Sequence, residues 1–186
     1  MENLISAAVQ QHLAALDSLR ENLPEIRKIA RLVTKILKRG GSVFLCGNGG
    51  SAADSQHIAA ELVGRFKKDR KALAAAALTT DTSVLTSLGN DYGFEKIFER
   101  QVEALAKKGD VLIAISTSGN SPNALNAVKK ARLMKVHTVG LLGGDGGKIK
   151  KFCDIPVVIG SDNTARIQEM HIFAGHILCE LIEDSF

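Results

Sequence analysis

His57 and Glu61 stand four residues apart in a stretch of helical periodicity, which places both on one helix face a turn apart. Taken alone, His-x-x-x-Glu is a common pairing on helix surfaces. Near the carboxyl end of the chain, Gln168 and His176 are eight residues apart on a second helical stretch. At 1.5 Å rise per residue that is about 12 Å, so one small ligand would have to sit between their tips. Gly175 is expected to leave open surface there. His171 points roughly 140° away from His176 at 100° per residue, which assigns it to packing.

Two loops have the composition of ligand cradles. Gly47-Asn48-Gly49-Gly50-Ser51 follows an apolar run and opens a helix. Its glycines allow a sharp bend and close backbone approach, and Ser51 is placed to cap the helix. The segment also satisfies G-x-G-x-x-A, but the acid expected about 20 residues on, after the next strand, is poorly supplied by Asp81. In Ser116-Thr117-Ser118-Gly119-Asn120-Ser121, three hydroxyls cluster at a strand end and Ser121 precedes Pro122 as an N-cap. Hydroxyls, loop N–H groups and a helix N-terminus suit a phosphate dianion. Without GK[ST] this is no P-loop, so the chemistry indicated is a phosphate monoester.

The elements that must position these residues follow from periodicity. Ile5, Val9, Leu13, Leu16 and Leu23, then Ile26, Ile29, Val33, Ile36 and Leu37, form two helical stripes divided at Pro24 and closed by Gly40-Gly41. Short apolar runs follow at 43–46, 74–78, 111–115, 138–142 and 155–159. Helices are expected at 52–66, 94–107, 122–134 and 164–183. Continuous apolar strands separated by helices predict an α/β fold: a doubly wound, five-stranded parallel sandwich of flavodoxin-like type. One domain fits 186 residues, with 1–40 as N-terminal amphipathic helices suited to oligomerisation and 41–186 as the sandwich. Ligands in such a sheet bind beyond the strands' carboxyl ends, where both loops fall.

Composition narrows the class further. Hydrophobic residues are 45% and charged residues 24%, which is globular rather than disordered. No apolar run suits a membrane span, and the first residues do not read as a secretory signal. Three cysteines without a CxxC pair argue against a disulfide framework and fit a reducing cytoplasm. The net charge is +4, but the clusters Lys67–Lys71 and Lys148–Lys151 are interrupted and lack neighbouring aromatics. A solvated surface is expected there, with no nucleic-acid partner.

The segments GNGGSAADSQHIAAELVGRF, LTTDTSVLTSLGNDYGFEKIFERQVEAL, GDVLIAISTSGNSPN and TARIQEMH resemble the phosphoheptose isomerases of the sugar-isomerase (SIS) family, over nearly the whole chain. The resemblance implies the SIS sandwich fold, a homotetramer and interconversion of sedoheptulose 7-phosphate with D-glycero-D-manno-heptose 7-phosphate, which supplies heptose for bacterial surface polysaccharide. It implies one zinc ion per subunit on His57, Glu61, Gln168 and His176, with Glu61 and His176 as the acid/base pair. It places Asn48, Gly49, Gly50, Ser51, Glu61, Asn90, Asp91, Ser116, Thr117, Ser118, Ser121 and Gln168 around the substrate. Gly160 and Asn163 depart from the proline and aspartate frequent in relatives. Other readings within the same fold are a non-catalytic relative that binds the replication initiator, which lacks the glutamate and last histidine, and a sugar-phosphate sensor.

Overall fold

The computed structural model describes all 186 residues. Two helices, α1 (Glu2–Glu21) and α2 (Leu23–Lys38), precede strand β1 (Val43–Gly47) and helix α3 (Gly50–Val63). The edge strand β2 (Ala75–Ala77) leads to α4 (Thr82–Tyr92) and α5 (Ile97–Leu105). Then come β3 (Val111–Ser116), α6 (Pro122–Leu133), β4 (His137–Gly143), β5 (Ile155–Ile159) and the long α7 (Thr164–Glu183).

All five strands pair in parallel, in the order β2-β1-β3-β4-β5. Because successive side chains alternate between faces, each strand feeds two cores. Val43, Leu45, Ile113, Ile115, Val139 and Leu141 pack with residues of α1, α2, α3 and α7 on one side. Phe44, Cys46, Leu112, Ala114 and Leu142 pack with α5 and α6 on the other. Burial on both faces is why these strands read as unbroken apolar runs. The doubly wound α/β sandwich expected from the sequence is the fold observed. The chain leaves β1 toward β2 and returns on the other side to β3, so a crevice opens between the ends of β1 and β3.

Three local expectations need correction. Residues 82–92 form a helix that the periodicity did not announce: α4 buries no residue fully and is set by a cap, the Asp81 carboxylate accepting from the Val84 N–H at 2.9 Å. Asp81 is thus a helix cap rather than a ribose-binding acid. The alanine-rich run forms only a three-residue edge strand. The helix expected from Phe94 begins with a 3₁₀ turn over Phe94–Lys96. The cysteines are free; burial pushes the Cys46 thiol up to about 12, far from thiolate chemistry at neutral pH. No helix is long and apolar enough to cross a membrane.

Candidate functional site

Helices α3 and α7 lie side by side and run the same way from the carboxyl end of the sheet, as matched contacts along their length show. Gly50 at the start of α3 faces Gln168, and a Cβ there would stand 2.6 Å from the Gln168 amide nitrogen. Just past the middle of both helices, a Cβ on Gly175 would meet Ile58 at 2.6 Å. Gly175 is therefore a point of close helix approach and buried, not open surface. That approach brings His176 against His57, with their Nε2 atoms 3.0 Å apart. His57 Nε2 is also 3.2 Å from Glu61 Oε1, and the Phe66 ring stacks on His176 with centroids 5.6 Å apart. The Glu61 side chain is 25% exposed and that of His57 48%, so the cluster opens to solvent and a ligand can reach it.

Two imidazole nitrogens facing each other at 3.0 Å need a shared proton or a common cation between them. Donors held at about 2.1 Å around a tetrahedral ion stand roughly 3.4 Å apart, close to the spacings here. The His57–His176 and His57–Glu61 spacings are compatible with a shared cation, although the three side chains do not converge as a ready metal-holding group. Gln168 lies beside Gly50, seven residues or about 10 Å along α3 from His57. The fourth donor of the expected set thus stands at the glycine loop, and the chain does not bring it into contact with the His57–Glu61–His176 cluster.

The two loops meet across the crevice. Gly49 has φ +57°, a left-handed conformation that favours glycine, and it serves as N-cap of α3. Ser51 sits inside the helix, buried, and makes no side-chain cap, contrary to expectation. Ser121 does not cap α6 with its side chain either. Its hydroxyl instead meets the Ser116 hydroxyl at 3.0 Å, and the Ser118 hydroxyl accepts from the Asn120 N–H at 3.1 Å. Gly119, at φ +62°, packs so tightly that a Cβ would stand 2.1 Å from the Gly146 carbonyl. The loop over residues 116–121 is consequently a fixed turn whose hydroxyls gather at the start of α6. Thr117 lies within it, half-buried.

A sequence model of the SIS domain family matches residues 8–143. The chain is 54% identical to phosphoheptose isomerase 1 of Campylobacter jejuni over 186 residues, covering all of both chains. It is 53% identical to the phosphoheptose isomerase of Clostridium acetobutylicum, over 98% of this chain and 95% of that one. The chain belongs to the phosphoheptose isomerase family. The solved phosphoheptose isomerase of Neisseria gonorrhoeae matches it with TM-score 0.92 at 43% identity, over 98% of each chain. That of Francisella tularensis matches with TM-score 0.93 at 36% identity, over 98% of this chain and 97% of that one.

Other positions that the phosphoheptose isomerase resemblance singled out are placed differently. Asn90 and Asp91 lie exposed at the end of α4, where the Asn90 amide donates to the Asp91 carboxylate at 2.8 Å. Neither bonds to the two loops within the chain. Gly160 and Asn163 tie the β5–α7 loop to α1: the Gly160 N–H donates to Ser18 Oγ at 2.8 Å, and the Asn163 amide donates to Gln11 at 2.9 Å. Asn163 also caps α7, accepting from the Ala165 N–H. His171 is fully buried and its Nε2 bonds the Leu142 carbonyl; burial pushes its pKa down to about 4, so it stays neutral, as a packing residue should.

Sequence reasoning missed Asp54. Gly50, Asp54, His57 and Glu61 follow at spacings of four, three and four, so one stripe of α3 carries all of them. The Asp54 Oδ2 atom is buried without a partner, and burial pushes the carboxyl up to about 6, against the lowering influence of nearby His57. The helical spacing was the available signal. It also missed Asn123, whose buried amide meets Asn48 across the crevice.

Each of Ser116→Ala, Ser118→Ala and Ser121→Ala is expected to raise KM for a phosphorylated sugar by about 10- to 150-fold, the worth of one hydrogen bond to a charged group at roughly 1.5–3 kcal/mol. Thermal unfolding should stay close to wild type. An unchanged KM in all three variants would make this loop purely structural.

Proposed function

We propose that the protein interconverts sedoheptulose 7-phosphate and D-glycero-D-manno-heptose 7-phosphate, in the cytoplasm, for bacterial surface polysaccharide. The observation that carries this reading is that one chain holds both a hydroxyl-lined loop at the start of α6 and, on the paired helices α3 and α7, the His57–Glu61–His176 cluster. Membership of the phosphoheptose isomerase family at 54% identity supports it.

Aldose–ketose isomerisation removes a proton α to a carbonyl and returns one to the neighbouring carbon. The phosphate is held at Ser116, Ser118 and Ser121, with the open N-terminus of α6 favouring the dianion. The sugar then extends over Gly49, Gly50 and Gln168 toward the cluster on α3 and α7. Glu61 takes the carbon-bound proton and redelivers it next door, the same carboxylate serving both steps. His176, within reach of the same reacting carbons, moves protons on the sugar oxygens. No hydride acceptor is required, so the glycine loop serves a sugar rather than a dinucleotide.

His57, Glu61 and His176, with Gln168 as the fourth donor, would hold one zinc ion per subunit. When bound, such an ion supplies charge that stabilises the enediolate oxygens. Glu61 and His176 being present favours an enzyme over the initiator-binding and sensing alternatives. The deciding experiment is incubation with sedoheptulose 7-phosphate, following aldose by NMR with and without chelator. Aldose formation that chelation abolishes and zinc restores is the expected result; no aldose under either condition would refute the isomerase reading.

The same reading includes a homotetramer. Helix α1 buries only Ala15 and Leu19, while Leu4, Ile5, Val9 and Leu13 are 76%, 65%, 51% and 47% exposed, an apolar stripe that a second copy would cover. Exposed Asn90 and Asp91 suit a substrate contact completed between subunits. Light scattering at micromolar concentration should return the mass of four chains, and a monomer would defeat this assignment.

A further inference from the structure

We propose that Asn123 is a positioning residue whose amide, locked to that of Asn48, fixes the sugar loop to the phosphate loop and so sets affinity for the phosphorylated sugar. The proposal rests on the crevice being the sugar-phosphate site. Asn123 is the second residue of α6 and only 1% exposed, so its side-chain amide must find its hydrogen-bond partners within the protein. Its amide nitrogen donates to Asn48 Oδ1 at 2.8 Å and its Oδ1 accepts from Asn48 Nδ2 at 2.8 Å. The Ala124 N–H donates to the same Asn123 Oδ1 at 2.9 Å, which fixes the amide's orientation and, through the pair, that of Asn48.

This pair spans the switch point between β1 and β3, the place where the two ligand loops could otherwise part. Asn48 lies before Gly49 and Gly50, whose backbone freedom would let the loop sample many conformations. The paired amides remove that freedom before any ligand arrives, so the ordering cost is met in the free protein rather than on binding. A second consequence concerns Asn48 itself. Its side-chain oxygen accepts one bond from Asn123 and one of its N–H groups donates to it, so the second N–H, the oxygen's second lone pair and the main chain are left for a ligand.

The test is a double-mutant cycle on Asn48→Ala, Asn123→Ala and the double variant, read by KM and kcat for sedoheptulose 7-phosphate and by thermal unfolding. Losing the tie should raise KM about 5- to 30-fold in Asn123→Ala, the worth of one to two neutral hydrogen bonds, with kcat within a few-fold of wild type. The double variant should be little worse than Asn48→Ala alone, in KM and in Tm, because Asn123 acts through Asn48. An unchanged KM in Asn123→Ala, additive effects in the cycle, or a fall in kcat at constant KM would each overturn the proposal. If Asn123→Ala is depleted of folded protein, Asn123→Asp keeps both accepting contacts but cannot donate to Asn48, and is read the same way. Failure of wild type to bind or turn over the sugar would refute the isomerase reading instead; additivity of the Tm values would still decide whether the tie exists.

Discussion

Glu61→Gln is expected to lower turnover by about 10²- to 10⁴-fold, the range general acid–base catalysis supplies, while KM stays near wild type. Glutamine keeps the shape and one oxygen donor but cannot accept the substrate's carbon-bound proton. Glu61 is suited to the task by position: it lies one turn beyond His57 on α3, 3.2 Å from its Nε2, and only a quarter of its side chain is exposed. Metal analysis of the same variant separates two roles. As the proton shuttle, Glu61 can be replaced with zinc content unchanged and activity still lost. Were it chiefly a ligand, the variant would lose zinc and recover with added metal. Wild-type turnover at normal metal occupancy would end the assignment as base.

Glu183→Ala is expected to be the most destabilising single change in the α3–α7 layer, by about 3–5 kcal/mol. Glu183 is 3% exposed and accepts three backbone N–H bonds, from Phe66 at 2.8 Å, Lys67 at 2.7 Å and Lys68 at 2.9 Å. It also pairs with the buried Arg70 guanidinium at 3.3 Å. Arg70 in turn donates to the carbonyls of Glu61, Leu62 and Gly64, closing the carboxyl end of α3. Removing the carboxylate strands three N–H groups and a buried cation together. At roughly 2–4 °C per kcal/mol for a chain of this size, Tm should fall by on the order of 10 °C. Because Phe66 rides on this segment and stacks on His176, activity should fall further than stability alone requires. A Tm within 2 °C of wild type, on the order of 1 kcal/mol or less, would show the network to be dispensable.

The pH dependence follows from the same contacts. Burial would raise the Glu183 pKa, but the three N–H donors and Arg70 outweigh it and hold it below the ordinary value. Its contribution is therefore complete above the unfolded carboxyl's pKa and disappears as pH falls through the lower folded value. Asp54 has the opposite sign: a carboxyl raised to about 6 is destabilising once ionised, above that pH.

Residue order alone carried the class of this fold, because a strand covered on both faces must be apolar at every position and a helix covered on one face must be apolar every third or fourth. That rule located β1, β3, β4, β5, α6 and α7. It failed at α4, which buries nothing fully and is held by the Asp81 cap, so its sequence carries no stripe. The glycine and serine loops were legible as turns at strand ends, the positions where a sheet of this kind can hold a ligand. What each hydroxyl does was not, since a serine before a helix reads as a cap whether its oxygen turns to the backbone or, as at Ser121, to Ser116. His57 and Glu61 could be paired from their spacing. Their meeting with His176 depends on how closely α3 and α7 approach at Gly175, where the Ile58 side chain of α3 packs against a position on α7 that has no Cβ. Asn48–Asn123 and Glu183–Arg70 lie beyond sequence reasoning for the same reason: residues 75 and 113 positions apart share no periodicity, and only the packing of the layers brings their polar atoms within hydrogen-bonding range.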